Sequence, residues 1–291
     1  MRNFILGTDW GEDVDDAVAT RLLCRAHKNG EINLLGFGIN THTEYSAPSL
    51  YAFIKNEGLD LPIGVDKNCP KKDWENRYQP RLAKLTDKRD SDFEDAVRVY
   101  RRLIAEAQGK VEILEVGFLQ VLAGAIASGP DDISPKTGME LFAEKVERVW
   151  CMGGKWTADG EKEFNLSYTP FACKAANYVC DNCPSPITFL GWEIGARLIT
   201  GDTIKNENDI LRQALIDWGG ECGRESWDPM LCLLAVIGDC ERAGYDTVKG
   251  TAWINSENGT NYFKRGEGKH EFVIKKFPDK YYKDLVNTRI E

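Results

Sequence analysis

Between residues 7 and 17 the chain reads Gly7-Thr8-Asp9-Trp10-Gly11-Glu12-Asp13-Val14-Asp15-Asp16-Ala17, which puts five acidic side chains into eight positions. Carboxylates held that close repel one another and raise each other's pKa, and a bound divalent ion reverses the balance by becoming the largest local charge. All-oxygen donors suit a hard cation, Ca²⁺ or Mg²⁺, rather than zinc or copper. A simpler reading has Asp15 and Asp16 capping a helix and favouring its positive end. That reading accounts for one or two carboxylates and leaves Asp9 over.

The elements around the turn decide whether it faces a ligand. Residues 3–8 are a short apolar run, and from Asp15 to His27 the apolar residues Ala17, Val18, Leu22 and Leu23 recur at helical spacing, so a strand hands over to a helix at the acidic cluster. The carboxyl end of a strand is where open α/β sheets place their ligands. An EF-hand is excluded, because the twelfth residue from Asp9 is Thr20 where that loop needs Glu. Further strands are expected at 32–39, 61–65, 111–116, 146–152 and 187–190. Helices are expected at 45–56, 93–107, 118–127, 171–179 and 229–237, with a long polar loop over 66–90 and a hairpin and final helix after residue 248. The alternation predicts an α/β fold: a single domain over 1–291 with a doubly wound, mostly parallel sheet flanked by helices.

The 291 residues are 42% hydrophobic and 29% charged, with a formal net charge of -9. Dispersed basic residues on an acidic chain argue against a nucleic-acid partner. No run approaches the length of a membrane span, and the N-terminus carries no signal-peptide pattern, so the expectation is a cytoplasmic protein with no membrane partner. Nine cysteines then read as reduced thiols. Cys180 and Cys183 form a C-x-x-C, with Cys173 upstream, that could hold zinc or do redox work, although no second ligand pair stands at regular spacing.

The acidic turn resembles the D-T-D-x-G-x-D-x-D-D-A signature of a branch of the nucleoside hydrolase family. Four more blocks follow in family order. Gly117-Phe118-Leu119-Gln120-Val121-Leu122-Ala123 is similar to G-x-L-T-N-L-A, and Val149-Trp150-Cys151-Met152-Gly153-Gly154 to a strand ending in M-G-G. Glu163-Phe164-Asn165 with Pro170 is similar to E-F-N followed by D-P, and Ser226-Trp227-Asp228-Pro229 to H-D-P or W-D-P at a helix start. The resemblance implies metal-dependent hydrolysis of a ribonucleoside N-glycosidic bond. Asp9, Asp16, Asp228 and the main-chain carbonyl of Gln120 would hold Ca²⁺, and Asp9 would also activate the attacking water. Asp15, Glu163 and Asn165 would grip ribose hydroxyls. A homodimer or homotetramer is implied as well.

The chain departs from the pattern at several places. Gly7 replaces the first Asp of the family's D-x-D, so any support that residue gives is expected to be missing. Thr43 stands where an Asn is usual, with Asn40 nearby, and Thr169 stands in for the Asp of D-P. Trp227 occupies the place of a His suited to protonate the leaving base, a pattern similar to the purine-preferring branch in which aromatic rings sandwich the base. Trp74 is the candidate for the opposite ring. Two alternatives stay open: a non-catalytic nucleoside or ribose binder, and a hydrolase of another ribosyl compound.

Overall fold

The computed structural model describes residues 1–69 and 75–291, so Trp74 lies outside the described residues. Strand β1 (Asn3–Thr8) leads through the acidic turn into α1 (Asp15–Lys28), followed by β2 (Asn33–Ile39), α2 (Ser46–Asn56), β3 (Ile63–Val65), α3 (Gln79–Ala83), β4 (Glu94–Asp95) and α4 (Ala96–Glu106). Next come β5 (Val111–Glu115), α5 (Gln120–Ala127), α6 (Gly138–Lys145), β6 (Val146–Met152), β7 (Glu161–Lys162), α7 (Phe164–Ser167), α8 (Pro170–Asn182), β8 (Ile187–Leu190) and α9 (Trp192–Gly195). The remainder is β9 (Ile199–Thr200), α10 (Ile210–Trp218), β10 (Arg224–Glu225), α11 (Trp227–Ile237), β11 (Tyr245–Ile254), β12 (Thr260–Arg265), β13 (His270–Lys275) and α12 (Asp279–Ile290).

Among the described residues, eleven strands form one sheet in the order β4-β3-β2-β1-β5-β6-β8-β13-β11-β12-β7. Pairing is parallel from β4 to β13 and antiparallel from β13 through β11 and β12 to β7. The mostly parallel sheet flanked by helices is the fold that the alternating pattern predicts. The order runs outward in both directions from β1, which makes the carboxyl ends of β1 and β5 the switch point where such sheets open a crevice. Every residue of β1 is buried, as a central parallel strand requires. Its side chains alternate between two cores: Phe4 and Leu6 pack with α1 and α11 residues such as Val18 and Leu231, whereas Ile5 packs with Tyr100, Ile104 and Leu122.

Local differences from the expected elements have physical causes. The stretch 66–90 contains α3, because Pro80 sits in the first turn, where the missing N–H costs nothing. The helix expected from residue 93 starts at Ala96, since Glu94–Asp95 pair with β3 and the Asp95 side chain accepts from the Val97 and Arg98 N–H groups as N-cap. Helix α6 lies outside the expected elements, although Thr137 and Glu140 form a capping box at its start. The hairpin and closing helix of the tail are present as β11, β12, β13 and α12.

Candidate metal and ribose site

The acidic turn is held by contacts that leave its carboxylates little freedom. Glu12 N–H donates to the Asp9 carbonyl at 3.0 Å, and Gly11 adopts φ +104°, a conformation costly for any residue with a Cβ. Trp10 is buried, its Nε1 donating to Ser49 Oγ at 2.8 Å, and Tyr78 Oη donates to the Asp13 carbonyl at 2.9 Å. Asp9 extends the β1 line, and Asp15 and Asp16 open α1. Helix α11 packs on α1 and brings Asp228 in its first turn.

Asp9, Asp16 and Asp228 each offer a carboxylate oxygen, and these atoms all lie within 4.8 Å of one another. All three residues are buried, and Asp16 Oδ2 has no hydrogen-bond partner. The Thr8 hydroxyl donates to Asp16 Oδ1. Burial pushes Asp16 and Asp228 well above the ordinary carboxylate range, and the neighbouring acids push further: Asp9 on Asp16, Asp15 and Asp16 on Asp228. Three buried carboxylates converging, one of them with an orphaned oxygen, is a donor set for a hard cation, and it fits such an ion on this chemistry. Among the described residues this is the one group of three or more His, Cys, Asp or Glu side chains so disposed. Cys173, Cys180 and Cys183 are free and buried, burial raising all three thiols, and they do not join such a group.

A cavity of about 270 Å³ opens on the triad and is lined by Asp9, Asp15, Asp16, Asp228, Glu163, Asn165 and Trp227 among others. Asp15 Oδ2 accepts the backbone N–H groups of Trp227 and Asp228 at 3.1 and 3.2 Å, so this carboxylate caps α11 while lining the cavity. Its pKa is raised, first by burial and then by Asp13. Glu163 receives N–H bonds from Gly154 and Asn165 at 3.1 and 2.9 Å, yet burial still lifts its carboxyl to about 7. Asn165 Nδ2 donates to the carbonyls of Val116 and Met152 at 2.8 and 3.2 Å, which fixes the amide against the ends of β5 and β6.

The Gln120 side chain is engaged outside the triad. The residue opens α5, is not among the cavity-lining residues, and its Nε2 donates to the Asn40 carbonyl at 2.5 Å. Thr43 bonds Ser46 at the start of α2, whereas Asn40 is fully buried beside Asp9 and accepts the Phe118 N–H at 3.1 Å. A Cβ on Gly117 would lie 2.5 Å from Asp9 N and 2.7 Å from Asn40 Oδ1. Replacing Gly117 with Ala is therefore expected to destabilise the fold by about 1–3 kcal/mol, read by urea unfolding. A variant as stable as wild type contradicts that close approach.

Sequence reasoning missed the other wall of the cavity, formed by Trp192, Phe164 and Arg224. Arg224 Nε and Nη2 donate to Asp13 at 2.9 and 2.6 Å, and the guanidinium lies over the Trp227 ring, 5.4 Å from its centroid. Trp227 Nε1 donates to the Trp192 carbonyl at 2.8 Å. Arg224 stands only four residues before Asp228, but nothing in its spacing marks an Arg that reaches back to residue 13. None of the three histidines lines the cavity: His42 pairs with Asp90, and His27 and His270 accept the backbone N–H groups of Leu34 and Ala252.

Several solved structures share this architecture. The inosine-uridine preferring nucleoside hydrolase of Bacillus anthracis superposes with a TM-score of 0.72 at 14% identity, covering 100% of this chain and 99% of that one. The purine-preferring ribonucleoside hydrolase of Gardnerella vaginalis gives 0.73 at 16% identity over 99% and 98%. The type III effector protein XopQ, solved with adenosine diphosphate ribose, gives 0.72 at 14% identity over 99% and 92%. No curated protein matches the chain. At those identities the structural likeness speaks for the fold alone. The family model described as inosine-uridine preferring nucleoside hydrolase matches residues 4–251, and by that match the chain belongs to this family of hydrolases acting on nucleosides.

Proposed function

We propose that the protein hydrolyses the N-glycosidic bond of a ribonucleoside, with a purine preferred, at a Ca²⁺ centre held by Asp9, Asp16 and Asp228. The observation that carries this reading is the convergence of those three buried carboxylates at the floor of a cavity. A divalent ion held by these three residues would supply a grip on the ribose diol and a lowered pKa for the attacking water. Asp9 takes the proton from that water. Asp15, already fixed by two α11 N–H groups, Glu163, fixed by the Gly154 and Asn165 N–H groups, and Asn165, fixed by the ends of β5 and β6, face ribose hydroxyls and orient C1′. Water oxygen bonds to C1′ as the C1′–N bond breaks, its electron pair leaving with the base. No further carboxylate nucleophile is assigned, so the displacement is single and inverts the anomeric carbon. The acidic walls favour the positive charge that develops on the sugar ring.

With no histidine at the cavity, departure of the base rests on Trp227, whose indole stacks the leaving purine and eases its protonation from solvent. Trp227→Ala is expected to lower kcat/KM for inosine roughly ten- to hundredfold, with uridine less affected and Ca²⁺ affinity unchanged. Equal losses on inosine and uridine contradict base stacking. The reading as a whole is tested by ribose release from inosine, adenosine, guanosine and uridine with Ca²⁺ and with chelator. Tight nucleoside binding without ribose release leaves the alternative of a non-catalytic binder. The adenosine diphosphate ribose bound to XopQ favours a second reading, in which the substrate is a larger ribosyl compound, and product analysis with that compound separates the two. For assembly the expectation is a homodimer or homotetramer, which sedimentation measures directly.

A further inference from the structure

Gly7 of β1 lies opposite Glu115 of β5 in the parallel pair. A Cβ built on Gly7 would overlap the Glu115 carboxyl and the Tyr100 hydroxyl, and a Cβ on Gly38 would overlap the Tyr100 ring. The volume that a side chain at position 7 needs is therefore already filled by a carboxyl arriving from the neighbouring strand. Tyr100 Oη donates to Glu115 Oε1 at 3.0 Å, while Glu115 Oε2 has no hydrogen-bond partner and the residue is fully buried. Burial lifts its carboxyl to about 8.

The next layer up the sheet is the site. Side chains two apart along a strand share a face, so Asp9 follows Gly7, Asn40 follows Gly38 and Gly117 follows Glu115. The upper layer is tight, with Gly117 pressed against Asp9 and Asn40. The two layers are tied by Val116 N–H, which donates to the Gly7 carbonyl at 2.9 Å. A buried carboxyl with an orphaned oxygen is costly, and an apolar side chain would fill that space more cheaply. The signature that the acidic turn resembles carries Asp at the position of Gly7.

We propose that Glu115 is a positioning residue of the metal centre: its carboxyl, delivered from β5, replaces the one missing at position 7 and, with Tyr100, supports the Asp9 layer from beneath. The proposal rests on the metal reading given above. Its test is Ca²⁺ binding by titration calorimetry, with melting temperature in EDTA measured alongside. Glu115→Ala and Glu115→Met are expected to weaken Ca²⁺ roughly tenfold, a usual effect of removing a group that orients a ligand, whereas Glu115→Gln stays near wild type. Gly7→Asp alone lowers the melting temperature, because two carboxyls compete for one volume. Combined with Glu115→Ala, Gly7→Asp instead restores both the melting temperature and most of the lost affinity.

Glu115→Met binding Ca²⁺ as tightly as wild type reduces Glu115 to a space filler and overturns the proposal. So does a double variant no better than Glu115→Ala. If the wild type binds no Ca²⁺, the metal reading falls and takes this one with it. Failure of the exchange with wild-type Ca²⁺ binding intact overturns this proposal and leaves the metal reading standing.

Discussion

Replacing Asp9 with Asn is expected to lower kcat/KM for the preferred nucleoside by roughly 10³-fold or more, while the protein stays folded. Asp9 is asked to do two things that an amide cannot. It contributes one of the three oxygens that converge within 4.8 Å, and under the proposed mechanism it would accept the proton of the attacking water. An amide of the same shape still fills the space beside Gly117 and Asn40, so the loss is chemical rather than structural. The two roles separate on inspection of metal affinity: if the ion is held mainly by Asp16 and Asp228, Ca²⁺ binding weakens modestly while turnover collapses. Steady-state kinetics at saturating Ca²⁺, beside calorimetry of the ion, measures both. A variant within about tenfold of wild-type kcat/KM removes Asp9 from the chemistry, since loss of a general base costs more than that.

Part of this site is legible in the residues alone, and the limits of that reading follow from distance along the chain. The crowding of Asp9, Asp15 and Asp16 is local, and so is the strand-to-helix handover that aims them, so the acidic turn by itself points to a cation. Asp228 is not local. The bond between Asp15 and the Trp227 N–H joins residues 212 positions apart, and only the ordered series of motifs points to Asp228. The Asp13–Arg224 pair and the Trp192 wall carry no such motif and show only in the folded chain. The sheet follows from recurring apolar runs, because β1 is buried on both faces and carries the apolar run Phe4-Ile5-Leu6 at its centre. Short elements escape where a cap rather than periodicity defines them, as with Thr137 at α6. Gly7 is a further case of distance along the chain. In sequence it reads as a missing carboxylate, and in space Glu115 fills the gap.

The metal-free protein is expected to lose stability as pH rises, and Ca²⁺ to restore it by an amount that grows with pH. Asp15, Asp16 and Asp228 have folded-state pKa values well above the ordinary carboxylate range, because of burial first and the charge of neighbouring acids second, led by Asp13, Asp9 and Asp15 respectively. Below about pH 4 these groups are protonated folded or unfolded, and their contribution is fully present. Above it the unfolded chain releases protons that the native state retains, so stability falls until the native carboxyls have ionised as well. An ion that binds the ionised triad opposes this, and at a hundredfold excess over Kd the linkage is worth about 2.7 kcal/mol. Other groups titrate in the same range: Glu115 and Glu163 act in the same direction, and His270, pushed down to about 4 by burial, acts in the opposite one. The difference between wild type and Asp228→Asn isolates the cluster from them. That variant removes one carboxylate from the triad, so in EDTA at pH 8 it is expected to be more stable than wild type by roughly 1–3 kcal/mol, while its gain on adding Ca²⁺ disappears. Urea unfolding at pH 5.5 and pH 8, with EDTA and with Ca²⁺, gives all four quantities. A metal-free Asp228→Asn less stable than wild type at pH 8 means the three carboxylates are not in mutual repulsion, and the charge argument for a cation then fails.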